Sequence, residues 1–259
     1  MKVFRKTGVS TLINILGMSV AFAAAMILMV QVKWDATYDK NFEGHEQVFR
    51  LENNWIDQGL FSTHIGRPII ELVRNASPNI EAVGTLHETG QQVFYKEGDK
   101  ESAIIIPSVQ VDSALLSVFP FEWVEGSAKE FTTRGTAILN EAFAKIIFGE
   151  ESAVGKLLLT GEGDHCRIVG VFKNTPRNYS LHYGIIMNMG DWLLHDGSEW
   201  SFAAYLKLND PVQVRETESA ILDALVPDLF EGSSDEEIAK YRKGFRLSNL
   251  HEAHFERDV

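Results

Sequence analysis

The chain lacks most of the features that give an exported domain cross-links or chemistry. A single cysteine, Cys166, stands in 259 residues, so no internal disulfide can form whatever the redox state of the compartment. Its setting, His165-Cys166-Arg167-Ile168-Val169-Gly170-Val171, reads as a strand and predicts a small buried core residue rather than a nucleophile. No G-x-S-x-G elbow occurs, and the lone cysteine has no paired histidine motif. Gly149 to Leu157 has the look of a phosphate loop but fails its chemistry. Five residues rather than four separate Gly149 from Gly155, Leu157 replaces the hydroxyl that would hold Mg²⁺, and Glu150 and Glu151 would repel phosphate.

Metal-ligand spacing is absent too. Of eight histidines, His45, His64, His87, His165, His182 and His195 are scattered singly. His251-Glu252-Ala253-His254 places its pair at i and i+3, whereas a zinc-peptidase helix needs i and i+4 on one face. The acid clusters Glu150-Glu151 and Asp235-Glu236-Glu237 fall at a turn and at a helix start, where solvated carboxylates are ordinary. No catalytic, cofactor-binding or metal-binding residue is assigned, and the expectation is that the chain is not an enzyme and takes no cofactor.

Acid is missing from the first 34 residues, and all 36 acidic residues lie from Asp35 onward. The uncharged run Leu12 to Val32 spans that gap. As a helix of about 1.5 Å per residue it covers roughly 31 Å, enough to cross a hydrocarbon core of about 30 Å. Lys2, Arg5 and Lys6 before it predict a cytoplasmic N-terminus. A cleaved signal is the competing reading, with Ala21-Phe22-Ala23 or Ala23-Ala24-Ala25 as cleavage sites. Against it, Met26 to Val30 continue apolar beyond either site, and the run exceeds the usual h-region of about 7–15 residues. Residues 1–10 are therefore read as a cytoplasmic foot and 11–33 as one membrane helix. Residues 34–259 carry a net charge of −16, which argues against nucleic-acid or anionic-membrane binding by the exported part. No second apolar run approaches spanning length.

The remainder mixes strands and helices without regular βα alternation, which predicts an α+β fold. Gln47 to Glu52 alternates as a half-buried strand, and Pro68 opens a helix that Ser77-Pro78 stops. Glu81–Leu86, Gln91–Tyr95 and Ala103–Ile106 read as strands, with a turn at Glu97 to Lys100. Leu115 to Phe119 forms a short apolar turn. Thr136–Leu139 is a strand, Asn140 a helix cap and Gly149 the stop of that helix. Leu157–Thr160 and Cys166–Phe172 make a hairpin across Gly161 to Asp164, and Pro176 and Asn178 begin a loop. Ser201–Leu208 is a strand, Val214 to Leu225 an amphipathic helix terminated near Pro227. Ser234 with Glu237 is a capping box for a helix through Arg242, before a last strand at Phe245–Leu247.

Several segments in order resemble the MacB-like (FtsX-related) ABC transporter permeases. Ile13-Asn14-Ile15-Leu16-Gly17-Met18-Ser19 is similar to that family's I-N-[IL]-x-G-[LM]-[ST] start. Tyr38-Asp39 and Val48-Phe49-Arg50-Leu51 follow its Y-D…[IV]-[YF]-R-[LV] run. Val111-Asp112, Phe119-Pro120-Phe121 and Gly126 match its V-D…F-x-F…G segment. Ala137 to Gly149 matches its strand–helix unit, followed by Gly155-Lys156. Val169-Gly170-Val171-Phe172-Lys173-Asn174-x-Pro176 matches its V-x-G-V-x-K-[DN]-x-P turn, and Trp200 and Phe202 precede the Tyr205 to Leu208 strand.

The resemblance implies one membrane helix followed by a two-lobed periplasmic domain: a porter-like α+β lobe, residues 34–128 and 199–259, and an inserted mostly β lobe, 129–198. It implies an inner-membrane location, and a role in passing ATP-driven conformational change outward for export or extraction of an envelope substrate. The implied partners are an ABC ATPase reached through further membrane helices, a permease partner or second copy, and a periplasmic adaptor. Those further helices lie outside this sequence, so it is expected to be a fragment or a truncated or split permease. A stand-alone anchored periplasmic binding module fits the same features. An exported metallohydrolase is a third reading, weakened by the histidine spacing.

Overall fold

The computed structural model describes residues 2–55, 60–96, 99–190, 201–229, 232, 234–241 and 244–255. The fold is α+β. Helix α1 (Lys2–Ala36) contains the apolar run and continues a turn beyond it. Its side chains from Leu12 to Val32 project into the surroundings instead of packing on the rest of the chain. A helix apolar on all sides and unburied by protein needs an apolar medium, and this one is long and apolar enough to cross a membrane.

Among the described residues, eleven strands form one continuous hydrogen-bonded sheet. Strand β1 (Val48–Trp55) lies at one end, between β11 (Phe245–Asn249) and β10 (Phe202–Leu208), antiparallel to both. A short β2 (Leu60–Ser62) folds back on it. Next to β10 comes β3 (Ile80–Lys96), which forms a long hairpin with β4 (Asp99–Val111). Sequence reading divides β3 at its polar middle, but the strand is unbroken. Gly90, at φ 70°, takes up the slack as a register shift rather than a turn. The predicted turn at Glu97-Gly98 lies outside the described residues.

The far half of this hairpin closes a ring. Strand β4 pairs parallel with β9 (Ile185–Asn188), β9 with β6 (Thr136–Asn140), and β6 with β8 (His165–Phe172). Strand β8 pairs with β7 (Leu157–Thr160), which returns to Phe94–Lys96 of β3. A fifth strand in chain order, β5 (Trp123–Gly126), adds to β8 at Gly170–Phe172. Strand β6 is buried along its whole length because both faces are covered. Ala137 and Leu139 enter one core with Cys166, Ile168 and Leu158, and Ile138 enters another with Phe119, Phe131 and Phe172.

The helices cover these faces. Gly66 precedes α2 (Arg67–Arg74), Pro68 sits in its first turn, and Ile69, Ile70 and Val73 are fully buried against β10 residues and α5 (Val214–Leu229). Helix α5 ends at Leu229, near Pro227 as expected, and carries that proline inside its last turn. Proline has helical φ and loses one bond, to the carbonyl of Asp223, so near a terminus the helix tolerates it. The short α3 (Leu115–Val118) lies on Gly84 of β3, where a Cβ would sit 2.5 Å from the Leu115 Cα. Asn140 caps α4 (Glu141–Phe148) through a 2.9 Å bond from the Ala142 N–H, and Gly149 at φ 66° ends it. Ser234 and Glu237 form the expected reciprocal box at α6 (Asp235–Tyr241). Arg242 lies outside the described residues. The last element is α7 (Leu250–Phe255).

Candidate functional site at the anchor–sheet junction

Just past α1 the chain is pinned to a loop far away in sequence. Thr37 ends the helix by donating its hydroxyl to the carbonyls of Lys33 at 2.9 Å and Trp34 at 3.2 Å. Asp39 then adopts φ 54°, the one described non-glycine residue with positive φ, and is almost wholly buried. An L residue takes that conformation at a cost, and aspartate is among the types that tolerate it.

What holds it there is the loop between β8 and β9. The Asp39 N–H donates to the Asn178 carbonyl at 3.0 Å. One carboxylate oxygen accepts from the Ser180 N–H at 2.6 Å, the other from the Ser180 hydroxyl at 2.5 Å. The Asn178 amide donates to the Thr37 carbonyl at 3.2 Å and hydroxyl at 2.9 Å, and its oxygen accepts from Asn41 at 3.2 Å. Hydrogen bonds to an ionised group are the stronger kind. The segment Thr37–Asn41, directly after the anchor helix, is thus clasped to Asn178–Ser180.

An aromatic cluster backs the clasp. Phe42 packs edge-on to Tyr179 at 5.6 Å between centroids and lies 5.8 Å from Phe119, which meets Tyr205 of β10 at 5.1 Å. Burial, with the Asp39 charge added, pushes the Tyr179 hydroxyl far above its ordinary pKa, so it stays neutral. Leu250 of α7 and Val48 of β1 belong to the same core, so both ends of the sheet domain converge here.

A cleft of about 360 Å³ opens beside this cluster, lined among others by Phe42, Glu43, Phe121, Glu122, Lys173 and Tyr179. Lys173 pairs with Glu122 at 2.5 Å, and that bond raises the lysine pKa.

The chain's other end is latched by a buried carboxylate. Glu52 of β1 accepts from Arg50 at 2.5 Å, from Arg246 at 2.7 Å and from Ser248 at 2.9 Å, and Arg50 also donates to the Ala253 carbonyl of α7. Burial pushes the Glu52 carboxyl up, but Arg50, then Arg246 and Ser248, outweigh it and hold it below the usual range.

The residues weighed in the sequence are dispersed. Cys166 is buried on β8, and desolvation pushes its thiol up to about 12, so it is an inert core residue. Among the described residues no group of three His, Cys, Asp or Glu is placed to hold a metal. His195, Trp200 and the His254 side chain lie outside the described residues. Gly149 and Gly155 are turn glycines, and Lys156 pairs with Glu151 and lies over the Phe148 ring at 5.2 Å. Asp39 was visible only as part of Tyr38-Asp39. Nothing in the sequence marks Asn178 and Ser180 as its partners.

The comparisons agree with this architecture. No curated protein matches the sequence. Among solved structures, a domain described as that of a permease protein from Porphyromonas gingivalis is 18% identical with a TM-score of 0.64, covering 81% of this chain and 93% of that one. The extracellular domain of the noncanonic ABC-type transporter YknZ from Gram-positive bacteria is 14% identical with a TM-score of 0.55, covering 78% and 100%. The periplasmic region of MacB from Actinobacillus actinomycetemcomitans is 12% identical with a TM-score of 0.55, covering 82% and 94%. At such identities these likenesses speak for the fold. The profile of the MacB-like periplasmic core domain matches residues 11–224, and the chain belongs to that family.

Proposed function

We propose that this chain is the periplasmic core of an ABC transporter permease and passes an ATP-driven conformational change outward for export or extraction of an envelope substrate, catalysing nothing itself. Its N-terminus is cytoplasmic and its domain periplasmic in the inner membrane. It works with an ABC ATPase, a permease partner or second copy, and a periplasmic adaptor. Residues 34–128 and 199–259 form a porter-like lobe and 129–198 an inserted lobe. The placement of β1 between β10 and β11 supports the first. The pairing of β5 with β8 and of the outer hairpin with β7 moves part of 90–126 toward the second.

The observation that carries the reading is the clasp. The spanning helix is joined covalently to β1 but by hydrogen bonds to the loop after β8, so movement of its end acts on both lobes together. Coupling requires a two-state element that both sites bias, and the clasp is the physical contact through which the helix biases the domain. Spin labels at the exposed positions Ile146 on α4 and Val212 after β10 test it in the transporter assembled with its ATPase. Inert Cys166 leaves the background clean. Nucleotide should change the distance between labels, and Asp39→Ala should remove most of that change without preventing assembly. A distance indifferent to nucleotide rejects transmission by this domain.

A further inference from the structure

The cleft beside the anchor shares Phe42 and Tyr179 with the cluster behind the clasp, and its position and side chains suit a ligand. The apolar run ends at Val32, α1 continues to Ala36, and the Thr37 carbonyl accepts from Asn41 at 3.4 Å. At about 1.5 Å per residue, Thr37 stands roughly 8 Å beyond the hydrocarbon edge, at the limit of a headgroup layer about 5–8 Å deep. Asn41, which reaches back to that carbonyl, lines the cleft together with Phe42 and Glu43. Its mouth therefore lies at the level of lipid headgroups in the same leaflet.

The lining selects among headgroups. Phe42, Phe121 and Tyr179 give it aromatic walls, Lys173 is its one cation, and Glu43 and Glu122 are carboxylates. A purely anionic headgroup would meet a rim with more acid than base on a domain of net charge −16. A headgroup with both charges matches: its phosphate to Lys173 and the adjoining Asn174 amide, its ammonium to Glu43, Glu122 and the ring faces. The Lys173–Glu122 pair is 60% and 76% exposed, so it is weakly held and opens at little cost to admit both charges. At about 360 Å³ the cleft is within the usual size range of small-ligand sites.

We propose that this cleft binds the zwitterionic headgroup of a membrane aminophospholipid, a site that rests on reading α1 as a membrane-spanning helix. The full chain, reconstituted in nanodiscs of equal phosphatidylethanolamine and phosphatidylglycerol, is released into the gas phase and its retained lipid counted by native mass spectrometry. Phosphatidylethanolamine should be retained selectively. Glu43→Gln and Lys173→Ala should each lower that retention by about fivefold, the loss expected for one charged contact at an exposed site. Lys40→Ala, an exposed cation outside the cleft, should leave it unchanged. Both test residues are exposed, and an unchanged thermal midpoint confirms that the variants fold. Equal retention of the two lipids, preference for phosphatidylglycerol, or indifference to both substitutions overturns the site. A chain that leaves the membrane fraction overturns the anchor reading as well, whereas a membrane-bound chain without selectivity overturns the headgroup site alone.

Discussion

Two buried carboxylates, Asp39 and Glu52, each tie together segments distant in sequence. Asp39 joins the end of α1 to Ser180, 141 residues on. Asp39→Ala strands the Ser180 donors and forces alanine into positive φ. It should lower stability by about 2–4 kcal/mol in denaturant unfolding, since a hydrogen bond to a charged group contributes about 1.5–3 kcal/mol. Asp39→Gly loses the same bonds but not the backbone fit, and should be about 1 kcal/mol less destabilised than the alanine variant. Equal losses would show that the conformation at φ 54° costs nothing. Glu52 predicts an acid dependence. Its folded pKa is below its unfolded one, so its contribution is complete above the ordinary glutamate range and is lost as pH falls through the depressed folded value. The unfolding midpoint should therefore drop on acidification below about pH 5, and Glu52→Gln should flatten that limb. The same variant should cost about 2–4 kcal/mol at neutral pH by leaving Arg50 and Arg246 without their counter-charge.

At the scale of elements, what decides the architecture is close packing at crossings. Helix α3 can lie on β3 only because Gly84 has no side chain, its missing Cβ falling 2.5 Å from the Leu115 backbone. Gly84→Ala should displace α3 and destabilise by about 1–3 kcal/mol, the usual cost of overpacking. Because Phe119 follows α3 and packs on Phe42 and Tyr205, the change should also disturb aromatic signals at the clasp in a methyl or ring NMR spectrum. Their constancy would mean that α3 and the anchor junction are mechanically independent. Strands β3 and β4 matter for a different reason. Their near halves pair with β10 and β9, and the far half of β3 closes the ring through β7, so one hairpin carries the sheet continuously from β10 to the ring.

For the molecule as a whole, the contrast is between an apolar helix exposed on every side and a domain of high negative charge. Hydrophobic anchoring of this kind is insensitive to screening, so the chain should sediment with membranes in high salt and in alkaline carbonate. Arginine in place of Ala23, near the middle of the run, adds about 2.5–3.5 kcal/mol to the insertion cost and should shift the chain toward the soluble fraction. Recovery of a soluble product beginning near Ala24 from the unmodified chain would instead identify Leu12–Val32 as a cleaved signal.

The sequence by itself determined whatever is settled within a turn or a strand. The long apolar helix follows from an uncharged run, the helix ends from Asn140, Gly149 and the Ser234–Glu237 box, and the fate of Cys166 from its strand. Each is governed by groups within a few residues, so its signal is local and periodic. Where the reading divided β3, the strand runs on through Gly90, because a glycine can bulge a strand as readily as end it, and α5 carries Pro227 inside and ends just past it, because a proline near a terminus costs a helix one bond. The tertiary structure alone decided the ring closed by β7 on β3, the clasp of Asp39 on Asn178 and Ser180, and the Glu52 network reaching Arg246 and α7. Those contacts join segments up to 203 residues apart. Serine, asparagine and aspartate in loops look the same whether they face water or each other, and which outcome holds is set by how the strands between them pack.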